Sequence, residues 1–137
     1  MSCKWEVDRT KLDPQLVEDV TNLFDEDPAD WIVHYGFRSS ADQERLWEQG
    51  RTTPGPIVTN AKPGHSPHEF GLAIDFHQLV DGKDSWNIGA DWKRIMAAVD
   101  AHPRLHGGWH FPTPDNDHIQ SVEWYKKRAE LIAAGKW

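Results

Sequence analysis

Two short motifs in this 137-residue chain carry side chains that could form a metal site. The first, from Ser66 to Asp75, reads S-x-H-x-x-G-x-A-x-D and places His68 seven positions before Asp75. The second is D-x-x-H, from Asp115 to His118. Zinc binds neutral imidazole and carboxylate, and a catalytic zinc site has three protein ligands and one position left for water. The candidate ligands are therefore His68, Asp75 and His118, with Asp115 as an additional carboxylate.

Asp75 lies in a segment, 72–80, whose alternating pattern predicts a β-strand with one apolar face. A carboxylate in such a strand is unfavourable when it is buried without a partner, and a bound cation offsets that penalty. Gly71 allows a tight turn before the strand, and the small Ala73 leaves room above the sheet. The predicted core-facing residues are Leu72, Ile74 and Phe76, and the opposite face carries Ala73, Asp75 and His77.

Helices and strands are interspersed irregularly along the rest of the chain. Asp13 before Pro14 is typical of a helix start, and Ser40 with Gln43 three residues later resembles a capping box. Segment 50–64 has three prolines and three glycines, which predicts a long irregular loop, a common place for function. Because regular βαβ spacing is missing, we expect an α+β fold with a small antiparallel sheet flanked by helices. The predicted helices are 13–25, 40–49, about 92–99 and 122–135, and the predicted strands are 31–35, 72–80, 105–111 (broken at Gly107–Gly108) and 118–120.

The chain has 22 acidic and 15 basic residues, a formal charge of −7, and no stripe of Lys or Arg. We therefore expect no nucleic-acid partner, and the apolar runs are too short for membrane insertion. Because the polar N-terminus has no apolar segment, we expect synthesis in the cytoplasm without a signal peptide. The length predicts one domain over residues 1–137, without a separate binding module, and we expect a monomer.

The single cysteine, Asp117 and the other histidines have weaker assignments. Cys3 cannot form an intrachain disulfide or a thiolate-rich metal site, and we expect it to lie in a loose N-terminus. Asp117 fits a solvated loop charge. Six further histidines occur: we expect surface positions for His34, His102 and His106, and consider pocket roles for His65, His77 and His110.

The segment Ser66 to Asp75, together with Asp115-x-x-His118, resembles the signature of the zinc D,D-peptidase superfamily. That superfamily includes lysostaphin-type enzymes, D-alanyl-D-alanine peptidases and the hedgehog signalling domain. The stretch 36–40, which contains Arg38, resembles the arginine-containing segment upstream of the first ligand. The stretch 107–109 most closely resembles bacteriophage L-alanyl-D-glutamate endopeptidases, although those enzymes usually have an acidic residue where this chain has Trp109-His110.

This resemblance implies the superfamily's fold and a set of metal-site roles. Zn²⁺ would be held by His68, Asp75 and His118. Asp115, three residues before the last ligand, would act first as general base and then as general acid. Because imidazole and carboxylate suit several divalent metals, the residue types alone leave the choice of metal open.

The resemblance also implies roles in substrate binding. Arg38 would stabilise the developing oxyanion or clamp a substrate carboxylate, and its planar guanidinium suits either task. Ser66 would donate a hydrogen bond to the substrate, with a competing role in the turn. Gln43 would cap its helix and orient Arg38.

The function implied is a zinc-dependent peptidoglycan endopeptidase that cleaves the L-alanyl-D-glutamate bond of the stem peptide. The phage-type match implies an endolysin that acts on the cell wall after release during host lysis. Two alternatives remain: a D-alanyl-D-alanine carboxypeptidase or dipeptidase, and a non-catalytic zinc-binding module of hedgehog type. Asp115 separates the last alternative from the enzymes, because an inert module has no use for a general base.

Overall fold

The computed structural model describes residues 3–137, which form one sheet of six strands with four α-helices. Among these residues, no helix is both long and apolar enough to cross a membrane. The strands are β1 (Cys3–Trp5), β2 (Asp30–Tyr35), β3 (Ala73–Val80), β4 (Lys83–Ser85), β5 (Leu105–Gly107) and β6 (His118–Ser121), and the helices are α1 (Pro14–Asp25), α2 (Ser40–Glu48), α3 (Ala90–Asp100) and α4 (Trp124–Ala133), with short 3-10 helices at Arg9–Lys11, Pro67–Phe70 and Gly108–His110.

The centre of the sheet is β3, which pairs with β2 on one edge and with β6 and β4 on the other. The strand order is β1-β2-β3-β6-β5, with β4 beside β3. Every pairing is antiparallel except that of β1 with β2, which is parallel. The predicted α+β fold is confirmed. The sheet is mixed because it includes an N-terminal strand that the sequence pattern did not reveal.

That N-terminal strand corrects the expectation of a loose N-terminus. Cys3 lies in β1, and its backbone N–H donates a hydrogen bond to the Asp25 carboxylate at 2.7 Å. Burial and the nearby Asp25 raise the pKa of the thiol to about 12, so the thiol stays protonated at neutral pH. Three residues are too few to show a periodic pattern, and pairing with β2 is what orders them.

The helices begin close to their predicted positions, but one cap differs. Asp13 caps α1 as predicted. In α2 the cap is Ser39, whose hydroxyl accepts the backbone N–H of Asp42 at 3.1 Å. The predicted capping box of Ser40 and Gln43 is therefore wrong, and the Gln43 side chain is available for a different contact.

The main core lies on one face of the sheet, under α1 and α3. Its centre is aromatic: the ring centroid of Phe76 lies 5.6 Å from that of Trp31 and 4.8 Å from that of Trp92. Ile74 and Phe76 face this core, as the alternation in β3 predicted. The opposite face of β3 therefore presents the alternate residues, including Asp75.

A second apolar cluster of Phe70, Leu72 and Trp124 lies beside the main core. It joins the 3-10 helix Pro67–Phe70 to α4, so Leu72 packs here and not in the main core. This cluster anchors the turn that precedes β3. The anchored turn carries the first histidine of the long motif.

Candidate metal centre

Three side chains from three elements converge above β3. His68 comes from the 3-10 helix Pro67–Phe70, Asp75 from β3 and His118 from β6, where His118 pairs directly with Asp75. Asp75 Oδ1 lies 3.6 Å from His68 Nε2 and 3.3 Å from His118 Nδ1. The structure thus brings together the three predicted ligands, although their metal binding stays a prediction.

A capped turn presents His68 to the site. The Ser66 hydroxyl accepts the backbone N–H of His68 at 3.3 Å, and the Glu69 carboxylate accepts the backbone N–H of Ser66 at 3.1 Å. The turn ends at Gly71 with φ of 68°, where a Cβ would lie 2.5 Å from the Lys11 carbonyl oxygen. The motif spacing S-x-H-x-x-G is therefore that of a capped turn closed by an obligatory glycine.

Hydrogen bonds on the far side of each ring orient the two imidazoles. His68 Nδ1 lies 2.8 Å from the Gly36 carbonyl oxygen, which can only accept, so this nitrogen carries the proton. His118 Nε2 lies 2.8 Å from the Gln120 side-chain oxygen, which likewise accepts. The opposite nitrogens therefore have free lone pairs, and both of these face Asp75. Metal-binding histidines are oriented by this kind of outer hydrogen bond.

The dimensions and chemistry of the triad fit a zinc ion. Tetrahedral zinc with bonds of about 2.0–2.1 Å separates its ligand atoms by about 3.3 Å, close to the two distances from Asp75 Oδ1. That oxygen is buried and has no hydrogen-bond partner among residues 3–137. Burial raises the pKa of Asp75, but a proton on the facing nitrogen of His118 or His68 outweighs this effect and holds the pKa below its usual value, so the carboxylate is ionised. A bound cation would satisfy this buried, charged oxygen.

Asp115 and Asp117 form an acidic pair beside the triad. Asp115 is half exposed, and its Oδ2 lies 3.9 Å from His118 Nδ1. Carboxylate oxygens of Asp75, Asp115 and Asp117 lie within 4.8 Å of one another. Burial, the hydrogen bond with Asp115 and the neighbouring negative charges raise the pKa of Asp117 to about 7. The expectation that Asp117 is a solvated loop charge is therefore wrong.

Arg38 lies next to the triad, with its side chain held in place on two sides. Its Nε donates to the Tyr35 hydroxyl at 2.9 Å, and its Nη1 donates to the Gln43 side-chain oxygen at 2.9 Å. The guanidinium also lies over the Tyr35 ring, 4.8 Å from the centroid. Its backbone N–H donates to the His68 carbonyl oxygen, which ties its position to the first ligand. Within residues 3–137 no salt bridge engages Arg38, so its charge is available to a substrate.

Two residues predicted to bind substrate are buried. Ser66 is 4% exposed and its hydroxyl serves the turn that carries His68. Gln43 is fully buried, and its amide nitrogen donates to the Ala61 carbonyl oxygen at 2.8 Å. Gln43 therefore joins Arg38 to the irregular loop 50–64, and its role in orienting Arg38 stays a prediction. In this structure Ser66 supports the turn that carries His68, and Gln43 supports the Arg38 side chain.

The paired glycines before the second motif leave space for it. A Cβ on Gly108 would lie 2.4 Å from the Asp115 carbonyl oxygen and 2.9 Å from the Cβ of His118. The following Trp109-His110, where the phage enzymes usually have an acidic residue, is held by one carboxylate: both side chains hydrogen-bond Asp100, at 3.1 and 2.7 Å.

A group of polar side chains that the sequence reasoning missed lies on the same face. His34, predicted at the surface, is partly buried, and its Nε2 lies 3.9 Å from Asp117 Oδ2. Its Nδ1 lies 2.8 Å from Nδ1 of the buried His77, whose Nε2 contacts the Asp84 carboxylate at 2.7 Å. The alternation in β3 did place His77 on the face of Asp75. A β-bulge at His34, where the register of β2 shifts, hid its orientation from any periodic pattern.

Comparison with known proteins identifies the family. The family described as "VanY: D-alanyl-D-alanine carboxypeptidase" matches residues 9–125, so the chain belongs to this family of the zinc D,D-peptidase superfamily. Peptidoglycan L-alanyl-D-glutamate endopeptidase CwlK of Bacillus subtilis (strain 168) is 48% identical over 63 residues. That alignment spans 45% of this chain and 38% of the Bacillus protein.

Solved structures show the same fold. The L-Ala D-Glu endopeptidase ChiX of Serratia marcescens superposes with a TM-score of 0.65 at 22% identity, over 86% of each chain. A variant of a vancomycin-resistance D,D-pentapeptidase VanY, solved in complex with Zn(II), superposes with a TM-score of 0.53 at 18% identity. The match covers 90% of this chain and 79% of that one. At these identities the likeness establishes the α+β architecture.

Proposed function

We propose that this chain is a zinc-dependent peptidoglycan endopeptidase that cleaves the L-alanyl-D-glutamate bond of the stem peptide. The observation that carries the proposal is the convergence of His68, Asp75 and His118 around one buried carboxylate oxygen that has no hydrogen-bond partner in the described part of the chain. The choice of bond is supported by CwlK and ChiX, both of which are described as endopeptidases for this linkage.

In the proposed mechanism, each polar group beside the triad has one task. When bound, Zn²⁺ supplies a Lewis acid that polarises the scissile carbonyl and lowers the pKa of a water from about 16 to about 7. His68 Nε2, Asp75 Oδ1 and His118 Nδ1 would hold it. Asp115, the half-exposed carboxylate beside His118, accepts a proton from the attacking water and returns it to the leaving amine.

Arg38 binds the negatively charged part of the substrate. Its guanidinium is positioned by Tyr35 and Gln43 but makes no salt bridge within the described residues, so it retains donors for a carboxylate or a developing oxyanion. A D-glutamate residue presents a free carboxylate next to the scissile bond. The irregular loop 50–64, linked to Gln43 through the Ala61 carbonyl, forms one wall near this cation.

We further propose that the chain acts as a monomeric single domain and as a phage or prophage endolysin in host lysis. The support for the endolysin role is the resemblance of stretch 107–109 to phage enzymes. Two assays test this role. In the first, the purified chain is added to intact bacteria from outside. In the second, the chain is expressed inside bacteria with and without a co-expressed membrane-permeabilising protein. Lysis that requires permeabilisation is the expected result.

The decisive experiment for the reaction is mass spectrometry of peptidoglycan digested by the purified chain, with and without a chelator. We expect new N-terminal D-glutamate on released stem peptides, abolished by chelation and restored by added Zn²⁺. Digestion that is unaffected by chelation would contradict a metal-dependent reaction. Unchanged peptidoglycan at all metal concentrations would contradict hydrolase activity.

A second candidate is a D,D-carboxypeptidase, which the description of the matching family favours. The same digest separates the two activities, because a carboxypeptidase releases free D-alanine and leaves the L-alanyl-D-glutamate bond intact. Free D-alanine as the sole product would replace the endopeptidase assignment. A non-catalytic zinc module would leave the peptidoglycan intact while retaining stoichiometric zinc.

A further inference from the structure

An exposed tryptophan lies on the same face of the sheet as the candidate metal ligands, and the proposed mechanism assigns it no role. Trp86 is 51% exposed, and its ring stacks on His77 with centroids 4.4 Å apart and an angle of 25° between the planes. A second imidazole, His34, meets the ring edge-on at 5.8 Å. One indole face is thus covered by protein, and the rest is available to solvent.

Trp86 stacks on a polar side chain, His77, that is itself held by hydrogen bonds. His77 is 3% exposed, and both of its ring nitrogens are engaged, one by His34 at 2.8 Å and the other by Asp84 at 2.7 Å. Asp84 lies in β4, which leads directly into Trp86. The imidazole pair and the carboxylate therefore hold the indole in one orientation, and an aromatic ring held this way loses little freedom on binding a ligand.

The sheet register places this ring close to the metal site. Ser85 pairs with Gln78, so Trp86 comes beside His77, on the same face of the sheet as Asp75. His77 is two residues beyond Asp75 on β3, which corresponds to about 7 Å along the strand. An extended substrate crossing the site would reach from Asp75 to Trp86 within about two residues.

Arg38 and Trp86 lie on opposite sides of Asp75. Tyr35 pairs with Asp75, and the antiparallel β2 then continues past the N-terminal end of β3 towards Arg38. Trp86 instead lies beside the C-terminal half of β3. The site therefore offers a cation on one side of the triad and an exposed aromatic face on the other.

We propose that Trp86 binds the sugar ring to which the stem peptide is attached, an inference that rests on the proposed function. In peptidoglycan the amine of L-alanine is acylated by the lactyl group of a pyranose, whereas D-glutamate on the other side of the scissile bond presents a carboxylate. An aromatic face on one side and Arg38 on the other match this polarity. The apolar C–H face of a pyranose stacks on indole, while its hydroxyl groups remain in water.

This subsite discriminates between peptide bonds by the distance of each bond from the sugar. The L-alanyl-D-glutamate bond lies one residue from the lactyl group, within reach of Trp86. The terminal D-alanyl-D-alanine bond lies several residues further along the peptide. A sugar-binding platform at this distance therefore selects the bond near the glycan strand.

The test compares two synthetic substrates that differ only at the N-terminus of L-alanine. One is an N-acetylated L-alanyl-D-isoglutamyl-L-lysine peptide, and the other carries N-acetylmuramic acid in place of the acetyl group. We expect the zinc-loaded wild type to prefer the sugar-bearing peptide, mainly through KM. Trp86→Ala should lower kcat/KM for that peptide about 3- to 10-fold, the range expected for one aromatic stacking contact, and leave the acetylated peptide unchanged.

Two variants and one binding measurement complete the test. Trp86→Phe, which keeps an aromatic face, should retain most of the preference, and Tyr125→Ala, which removes an exposed ring on α4, should retain all of it. Calorimetric titration with N-acetylmuramoyl-L-alanine should give binding to the wild type that weakens in Trp86→Ala. Equal losses on both substrates, or no preference in the wild type, would overturn the subsite and leave the proposed function standing. Failure of the wild type to cleave either peptide would instead overturn the proposed function. The subsite would then be judged by calorimetry alone, and absence of binding of N-acetylmuramoyl-L-alanine would overturn it.

Discussion

Asp27, which is buried, and Asp75, which is partly buried, have opposite environments. Asp27 accepts two hydrogen bonds from the Arg94 guanidinium, at 2.6 and 2.8 Å, and one from the indole N–H of Trp31 at 2.9 Å. Asp75 lies between two imidazoles whose outer nitrogens bond Gly36 and Gln120, and its Oδ1 has no hydrogen-bond partner within residues 3–137. Protein donors satisfy both oxygens of the Asp27 carboxylate, whereas the described residues supply no hydrogen-bond donor to Oδ1 of Asp75.

Asp19 follows the pattern of Asp27. Arg104 donates to both of its oxygens at 2.7 Å, and Gln15 donates to one of them at 3.0 Å. A planar guanidinium supplies two parallel donors and satisfies a carboxylate outright. Two imidazoles whose outer nitrogens carry the proton turn lone pairs towards the carboxylate oxygen and repel it, unless a further proton or a metal cation lies between them. The difference teaches that the partners of a buried acid, and not its burial, distinguish a structural site from a metal site.

Replacement of Asp75 should have the largest effect. In Asp75→Asn the neutral amide is a poor zinc ligand, so we expect hydrolysis to fall to background and zinc to be lost on gel filtration. Atomic emission and peptidoglycan digestion measure the two quantities. Full zinc content in Asp75→Asn would refute the ligand assignment.

Asp115→Asn should be the next largest effect, and it separates catalysis from metal binding. Because Asp115 is half exposed and not among the three converging ligands, zinc content and stability should be unchanged. Loss of the general base should lower kcat at least about 100-fold. Steady-state assays on a soluble stem peptide, beside zinc analysis of the same samples, check this. Activity within a few-fold of the wild type would exclude Asp115 as the base.

Asp27→Ala should affect stability and leave the chemistry intact. The change removes the acceptor for Arg94 and for the buried indole N–H of Trp31, and we expect it to lower the free energy of unfolding by about 3 kcal/mol. Zinc content and kcat measured below the unfolding transition should match the wild type. A loss of zinc comparable to that of Asp75→Asn would contradict the distinction drawn between Asp27 and Asp75.

The smallest effect is a shift in acid stability. The Arg104 guanidinium lowers the pKa of Asp19, and for Asp27 the bonds from Arg94 and Trp31 outweigh burial and also lower the pKa. Stability from these carboxylates is complete above their unfolded pKa of about 4 and is lost as the pH falls through the lower folded values. Urea unfolding of metal-free protein should therefore show decreasing stability below about pH 4. The double variant Asp19→Asn/Asp27→Asn should show a shallower slope, and an identical slope would contradict this assignment.

Much of the site's local structure was predictable because its motifs describe local hydrogen bonds. The S-x-H-x-x-G spacing predicted a turn, and the structure shows Ser66, Glu69 and Gly71 closing it around His68. The alternation in β3 predicted that Asp75 faces away from Ile74. These features depend on bonds within about ten residues, so a sequence pattern can encode them.

Other features were misassigned because distant residues decide them. Gln43 has the spacing of a capping residue, yet its side chain is used by Arg38 and by Ala61, eighteen residues away. The β1 strand was missed because its order comes from pairing with β2. His34 was assigned to the surface, and only the bulge in β2 and the approach of β6 place it against Asp117.

The sequence by itself determined which residues are the candidates for metal binding and acid–base chemistry, and that one turn and one strand present two of them. Only the tertiary structure decided that His118, 43 residues after Asp75, pairs with it across two strands, and that Trp86 and Arg38 flank the triad. The physical reason is range. A turn is stabilised by hydrogen bonds between near neighbours, whereas the distance between two strands is set by the register of the whole sheet and the packing of its core.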